Sequence, residues 1–291
     1  MSLLTEFRQS LKTVDSEEIL DLVIFRPVSF VFVKLIYNTN ITPNQISIVA
    51  LMFGILSGIL YGFGTYNFFI YASASFFICN TLDCMDGQLA RLKKNGTKIG
   101  RIIDGFIDYI TSISVFLGLG IAMSHITDNL TYSWLLTIAA GISKALQNMI
   151  FDHYRNLYLE NVYNKVSGLD EEIKEYSEEK EILKSIKGRY FEKFLVSVYL
   201  SYCNMQKNST KHVDISVSPE VYKSKNRLLL RMWSWIGSTT HMVALIIFSF
   251  MNRIDLYLIY TVTIGNIYFL LLLIRQKSVL KQLSADQKKI N

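Results

Sequence analysis

Apolar stretches set the rhythm of this chain, and short polar segments punctuate them. Six stretches reach, or nearly reach, the roughly 20 residues that a helix needs to cross a bilayer. They cover about residues 44–64, 68–91, 100–123, 133–151, 232–251 and 256–274. Ahead of the first, residues 17–37 mix apolar positions with Glu17, Glu18, Asp21, Arg26 and Lys34. Pro27 should break or kink that segment. The pattern predicts an amphipathic helix lying at the cytoplasmic interface. A seventh span is disfavoured by the charges and by parity, since it would put the termini on opposite sides. Between the fourth and fifth spans, residues 169–187 are charged with spaced apolar positions. Residues 190–202 are apolar and aromatic at helical spacing, and 209–218 read as a polar loop. The expected class is therefore an all-α integral membrane protein. It has four parts: an interfacial segment (1–40), spans one to four (41–157), a helical cytoplasmic insertion (158–225), and spans five and six with a basic tail (226–291).

Composition agrees with this pattern. The chain has 291 residues, 51% of them hydrophobic, and mean hydropathy is +0.27. No cleavable signal peptide is expected, because residues 1–21 carry acids and lack a continuous apolar core. The formal charge of +6 is concentrated in certain loops. The connection between spans two and three holds Arg91, Lys93, Lys94, Lys98 and Arg101. The connections at 62–67, near Asp128 and near Arg253 and Asp255 hold little or no basic charge. The positive-inside rule then places both termini and the 91–101 connection at the cytoplasmic side. Such a basic rim suits anionic membrane lipids. No basic patch interleaved with aromatics suggests a nucleic acid partner. Cys79, Cys84 and Cys203 form neither a CxxC pair nor a zinc pattern, and read as small reduced residues.

Four carboxylates break the apolar pattern. Asp83, Asp86, Asp104 and Asp108 lie within 26 residues, in D-x2-D-G-x2-A-R-x8-G-x3-D-x3-D. Ionisable groups in membrane segments are expensive and mark function by default. Helical spacing puts Asp83 and Asp86 on one face, and Gly100, Asp104 and Asp108 on one face. Two helices joined by residues 92–99 run antiparallel, so the acidic faces can meet as an all-oxygen cage. Such a cage favours Mg2+ first, then Mn2+ or Ca2+. Four carboxylates are too many for one Mg2+ and suit a two-metal site for phosphoryl chemistry. Gly87, Gly100 and Gly105 would let a ligand approach closely. Ala90 is small at the same face, and Arg91 is placed to grip a phosphate oxygen bidentately.

These residues resemble the signature of the CDP-alcohol phosphotransferase family, with every fixed position present. The resemblance implies a six-helix membrane enzyme. It would cleave the pyrophosphate of a CDP-linked donor, release CMP and pass the phospho-group to an alcohol acceptor. By the same resemblance Asp83, Asp86 and Asp104 are metal ligands. Asp108 binds the second metal and is the general base on the acceptor hydroxyl. Gly87 and Ala90 flank the cytidine, and Arg91 lies near the donor phosphates. Thr42-Pro43-Asn44 resembles the family's entry to its first span. Asn44 is a candidate phosphate contact, although Thr42 as N-cap and Pro43 at the first helical position explain most of the pattern. A homodimer is expected from the resemblance alone.

The motif leaves the donor open. CDP-diacylglycerol giving a phosphatidyl group to a small alcohol is preferred over a soluble CDP-alcohol serving a lipid acceptor. Lys98, Arg101 and Arg155 are candidates for a phosphorylated acceptor. From another class, a divalent-cation transporter would place its acids near the bilayer midplane, often with internal repeats. A silent scaffold would not require all four aspartates. Asp152, His153, Tyr154 and Arg155 read first as an interfacial anchor and second as acceptor contacts. His241, Gly265 and Asn266 read first as interhelical packing.

Overall fold

Thr42 and Gln45 start the first long helix by capping each other. The Thr42 hydroxyl accepts from the Gln45 amide at 3.4 Å, and the Gln45 side chain accepts from the Thr42 amide at 3.0 Å. This is the reciprocal capping box, with Pro43 at the first position where a missing N–H costs nothing. A computed structural model describes residues 3–96, 98–163, 169–209 and 217–290. Among them the regular structure is entirely helical. The helices are α1 (Leu3–Ser10), α2 (Arg26–Ile36), α3 (Pro43–Gly62), α4 (Tyr66–Lys93), α5 (Lys98–Thr127) and α6 (Leu130–Tyr163). They continue with α7 (Leu169–Ser185), α8 (Tyr190–Ser209), α9 (Pro219–Trp233), α10 (Ser238–Phe250), α11 (Ile254–Tyr260) and α12 (Asn266–Ile290).

Among the described residues, five stretches are long and apolar enough to cross a membrane: Pro43–Gly62, Tyr66–Lys93, Ile102–Thr127, Pro219–Phe250 and Ile254–Ala285. The protein is an all-α integral membrane protein. The predicted fourth span, 133–151, is not among the five. It lies within α6, whose 34 residues measure about 50 Å. Its hydropathy is diluted by Lys144 and Gln147, which are both buried against neighbouring helices. A polar residue facing protein lowers a hydropathy average without meeting lipid.

α3 is the central strut. Ser57 donates to Ala72 O of α4 at 2.9 Å, Ser75 of α4 donates to Phe53 O at 2.8 Å, and Ser47 bonds to Asp86. As α3 residue numbers rise, their α4 partners fall, so these two helices are antiparallel. On its other side α3 runs parallel to α5. A Cβ on Gly58 would lie 2.4 Å from the Ser114 carbonyl carbon, and one on Gly118 would lie 2.0 Å from Gly58 O. The backbones touch there, as small residues permit in membrane bundles. The C-terminal end of α4 and the N-terminal end of α5 are therefore held at one end of α3. α6 runs back along α5, pairing Trp134 with Gly120, Phe116 with Gly141 and Lys144 with Ser112.

In residues 17–37 the charged side packs on the bundle, while Val23, Val31, Phe32 and Leu35 stay exposed. Glu17, Glu18 and Arg26 are buried, and Ser29 donates to Thr81 O of α4 at 2.7 Å. Pro27 does not break the chain. A π-helical turn, Asp21–Phe25, precedes it, and the wider winding absorbs the disturbance before α2 begins. The segment 10–21 is wedged among four helices. Asp15 accepts from Tyr163 of α6 at 2.8 Å and Arg227 of α9 at 2.9 Å. Glu18 accepts from the Thr239 amide at 3.2 Å, and Asp21 from the Thr239 hydroxyl at 2.9 Å, both on α10. Glu18 thus caps α10, whose own N-cap residue is Gly237 and has no side chain to do so.

The insertion also has a defined seat. Tyr176 and Leu183 of α7 and Leu195, Val196 and Leu200 of α8 form one cluster with Ile102 of α5, and Ile103 and Phe106 pack against it. The predicted loop at 209–218 lies largely outside the described residues.

Candidate active site

The last three turns of α4 and the first turns of α5 bring the acids together. Carboxylate oxygens of Asp83, Asp86 and Asp104 all lie within 4.8 Å of one another. Asp83 and Asp86 share a face of α4 because they are three residues apart, and Asp104 comes from the facing helix, as the spacing predicts. Asp86 is buried, and the other two are partly so. Among the described side chains, no lysine or arginine lies within ion-pair distance of the three. A trio of close carboxylates without a cation is costly, and its all-oxygen donor set fits a hard divalent ion. The Ser47 hydroxyl donates to Asp86 and also to Pro43 O, so the capped start of α3 orients one member of the trio.

Asp108 stands apart. It lies one turn beyond Asp104, outside the close trio, and is exposed. It still interacts electrostatically with Asp83, Asp86 and Cys79. Lys144 of α6 is the nearest new participant. It is buried, bonds to Ser112 at 3.0 Å and interacts electrostatically with Asp108. The sequence reading passed over Lys144, although a lone lysine within an apolar stretch was the available signal.

Arg91 and Gly87 are linked. A Cβ on Gly87 would lie 3.3 Å from both terminal nitrogens of Arg91, so the guanidinium folds back over the glycine. Arg91 Nε donates to Ser10 O, while Nη2 is buried with no hydrogen-bond partner. The motif arginine is therefore anchored by the N-terminal segment with one donor unspent. Beside Asp104, a Cβ on Gly105 would meet nothing within 4 Å, which leaves room at that face. Ala90 and Gly100 are partly buried, the latter at the start of α5, and Asn44 is exposed on the first turn of α3. The structure thus places Asn44 at the site's end of the bundle without showing it in contact with the trio. The side chains of Lys98 and Arg101 lie outside the described residues.

Charge accumulates around this end. Arg26 sends Nη1 to Cys84 O at 3.2 Å, between Asp83 and Asp86 in the chain, and pairs with Glu17 at 2.9 Å. Lys12, exposed on the N-terminal segment, interacts electrostatically with Asp104 and with Arg91 and Arg155. Arg155 pairs with Asp152 at 2.8 Å, which accounts for part of that tetrad without a ligand.

The packing residues behave as expected. His241 Nε2 and Gln147 Oε1 are 2.8 Å apart, Gln147 donates to Asn266 at 2.9 Å, and Asn266 donates to Ser143 at 2.9 Å. A Cβ on Gly265 would lie 3.2 Å from Gln147. This network sits at the π-helical turn Thr261–Gly265, between α11 and α12. Cys79, Cys84 and Cys203 are buried free thiols.

Residues 40–163 match the family described as CDP-alcohol phosphatidyltransferase. The match contains all four aspartates, Asn44, Arg91, Lys144 and Arg155. It bears out the resemblance carried by the motif. A Thermococcus kodakarensis protein named "Bifunctional IPC transferase and DIPP synthase" is 25% identical over 130 residues, which cover 45% of this chain and 28% of that protein. The aligned part is thus a little over a quarter of the relative's length.

Proposed function

We propose, from the match of residues 40–163 to the CDP-alcohol phosphatidyltransferase family, that this protein is a CDP-alcohol phosphotransferase. It cleaves the pyrophosphate of a CDP-linked donor and transfers the phospho-group to an alcohol. CDP-diacylglycerol is the preferred donor, and the product serves phospholipid synthesis. One observation carries this reading: Asp83, Asp86 and Asp104 converge without a neutralising cation among the described side chains, beside an arginine with an unspent donor. The Thermococcus kodakarensis relative, named as a transferase, supports this reading.

Asp83, Asp86 and Asp104 would hold a divalent ion, Mg2+ before Mn2+, and Asp108 would share a second. Bound there, such ions supply charge neutralisation for the pyrophosphate. The chain's own residues do the rest. Arg91 offers Nη2 to a donor phosphate oxygen. Asp108, exposed and outside the close trio, takes the proton from the acceptor hydroxyl. The hydroxyl oxygen forms its bond to the phosphorus, the bond to the CMP oxygen breaks, and CMP leaves with the electron pair. Lys144 of α6 interacts electrostatically with Asp108 and is placed to steady its carboxylate. α6 supplies a sixth crossing with its polar face turned inward, and the site faces the cytoplasm, where nucleotide is found.

The test is CMP release by the protein in nanodiscs with Mg2+. CDP-diacylglycerol and soluble CDP-alcohols are offered against a panel of alcohols, with Asp86→Asn and Asp108→Asn as controls. Release that requires CDP-diacylglycerol and disappears in both variants supports the reading. Release only from a soluble CDP-alcohol with a lipid acceptor reverses donor and acceptor. No release from any pair, at equal background in all three proteins, sinks it.

A further inference from the structure

The α7–α8 hairpin has an outer face that phosphotransfer does not use. Its inner face closes on Ile102, Ile103 and Phe106 of α5. Ile102 is the first residue of an apolar span, so the contact sets α8 at the depth where α5 enters the bilayer. On the outer side, Tyr190, Phe194 and Val198 recur every four residues and are 80%, 56% and 44% exposed. Ile186, just before the turn, is exposed as well. An apolar stripe of this kind is a liability in water and an anchor at a bilayer interface.

Charge along the hairpin is segregated. Residues 169–179 hold six acids and one lysine, whereas residues 180–193 hold five basic residues and two acids. The turn end is therefore both cationic and apolar. Lys187 and Arg189 are exposed there, and the Lys193 ammonium sits 5.7 Å from the Tyr190 ring centroid. An anionic leaflet attracts this end and repels the other.

We propose that the turn of the α7–α8 hairpin docks on an anionic membrane surface. Ile186, Tyr190, Phe194 and Val198 enter the headgroup region, with Lys187, Arg189 and Lys193 on the phosphates. A bilayer fits better than a second copy, because two such basic rims would repel each other across a symmetric contact. The docked hairpin grips Ile102 and Ile103, the residues next to Asp104. Lipid charge thereby acts on the acidic site through α5.

The test reads immersion, not turnover, so its failure would leave the phosphotransfer reading untouched. A nitroxide is attached at Phe194→Cys and, as a control on exposed α7, at Lys174→Cys. The native cysteines are all buried. Collision with lipid-soluble oxygen and with an aqueous nickel chelate is compared in phosphatidylcholine nanodiscs with and without phosphatidylglycerol. Oxygen should dominate at 194 in the anionic discs, and nickel should dominate at 174 in both. Adding Lys187→Glu, Arg189→Glu and Lys193→Glu should return the 194 label to nickel, since each basic residue is worth roughly fivefold in surface partition. Equal nickel access at 194 and 174 in anionic discs overturns the proposal. Shielding of 194 from both reagents also overturns it, because the face would then be covered by protein.

Discussion

Glu17 and Arg26 form a buried ion pair against the motif helix, and separating them gives the sharpest test of how the N-terminal segment supports the site. Glu17 accepts from Arg26 Nε and Nη2 at 3.2 and 2.9 Å and from the Lys12 amide at 3.1 Å. The two side chains are 10% and 5% exposed. Glu17→Gln keeps the volume and leaves Arg26 a buried charge without its paired carboxylate, facing the Cys84 carbonyl and the more distant Asp21 and Asp83. Removing one partner of such a pair costs about 3–5 kcal/mol, whereas replacing both with apolar groups is often neutral. At about 2–4 °C per kcal/mol for chains approaching this size, Glu17→Gln should lower the midpoint by roughly 6–20 °C. The double variant Glu17→Gln with Arg26→Met should recover most of that loss. Thermal unfolding in nanodiscs can be followed with a thiol-reactive dye, because all three cysteines are buried until the fold opens. The acid limb gives a second check. Burial raises the Glu17 pKa, but Arg26 and the Lys12 amide more than offset it, so the group lies below its ordinary 4.5. Its contribution is present above pH 4.5 and is lost as pH falls through the lowered value. The gap between wild type and Glu17→Gln should narrow over that range. If both single variants unfold at the wild-type temperature, the pair is not what fastens this segment to α4.

Gly58→Val would put a branched side chain into the Ser114 backbone and should cost several kcal/mol, read as lower thermal stability; wild-type stability would refute the close α3–α5 crossing. Ser47→Ala should weaken divalent-ion affinity by roughly 10–100-fold while the fold survives, measured by calorimetry; unchanged affinity would mean that Ser47 does not orient Asp86. Glu18 is held well above its ordinary 4.5 by burial and then by Asp21. Its ionisation therefore costs stability as pH rises above 4.5, and Glu18→Gln should equal wild type in acid and exceed it near neutrality. A pH series of unfolding midpoints decides this, and a Gln variant less stable at neutral pH would contradict it.

The acidic motif, the capping box and the interhelical role of His241 were legible because each depends on neighbours in sequence. Asp83 and Asp86 share a face by spacing alone, and Thr42 finds its partner three residues on. The partners of the charges in residues 15–21 were illegible for the opposite reason. Glu18, Asp21 and Asp15 are satisfied by Thr239 and Arg227, more than 200 positions away, and no local periodicity carries that information. A charged, partly apolar stretch looks the same whether its charges meet headgroups or distant side chains. Likewise Lys144 and Gln147 lower the apparent hydropathy of α6 although they face protein. Separating Asp108 from the trio needed the rotation of α5 about its axis, which spacing alone does not set.

The wedge formed by residues 10–21 has a consequence for biogenesis. This segment leaves the ribosome well before its hydrogen-bonding partners on α9 and α10, which lie more than 200 residues further along the chain. Until they emerge, Asp15, Glu18 and Asp21 must wait in water or at the headgroups, and Arg91 lacks a settled Ser10 carbonyl. The acidic site can form its trio early, because α3, α4 and α5 are consecutive. Closure of its surroundings is deferred to the last helices. A nascent chain halted after α6 would thus carry the metal-binding acids without their enclosure, and long-range closure of this kind is slow.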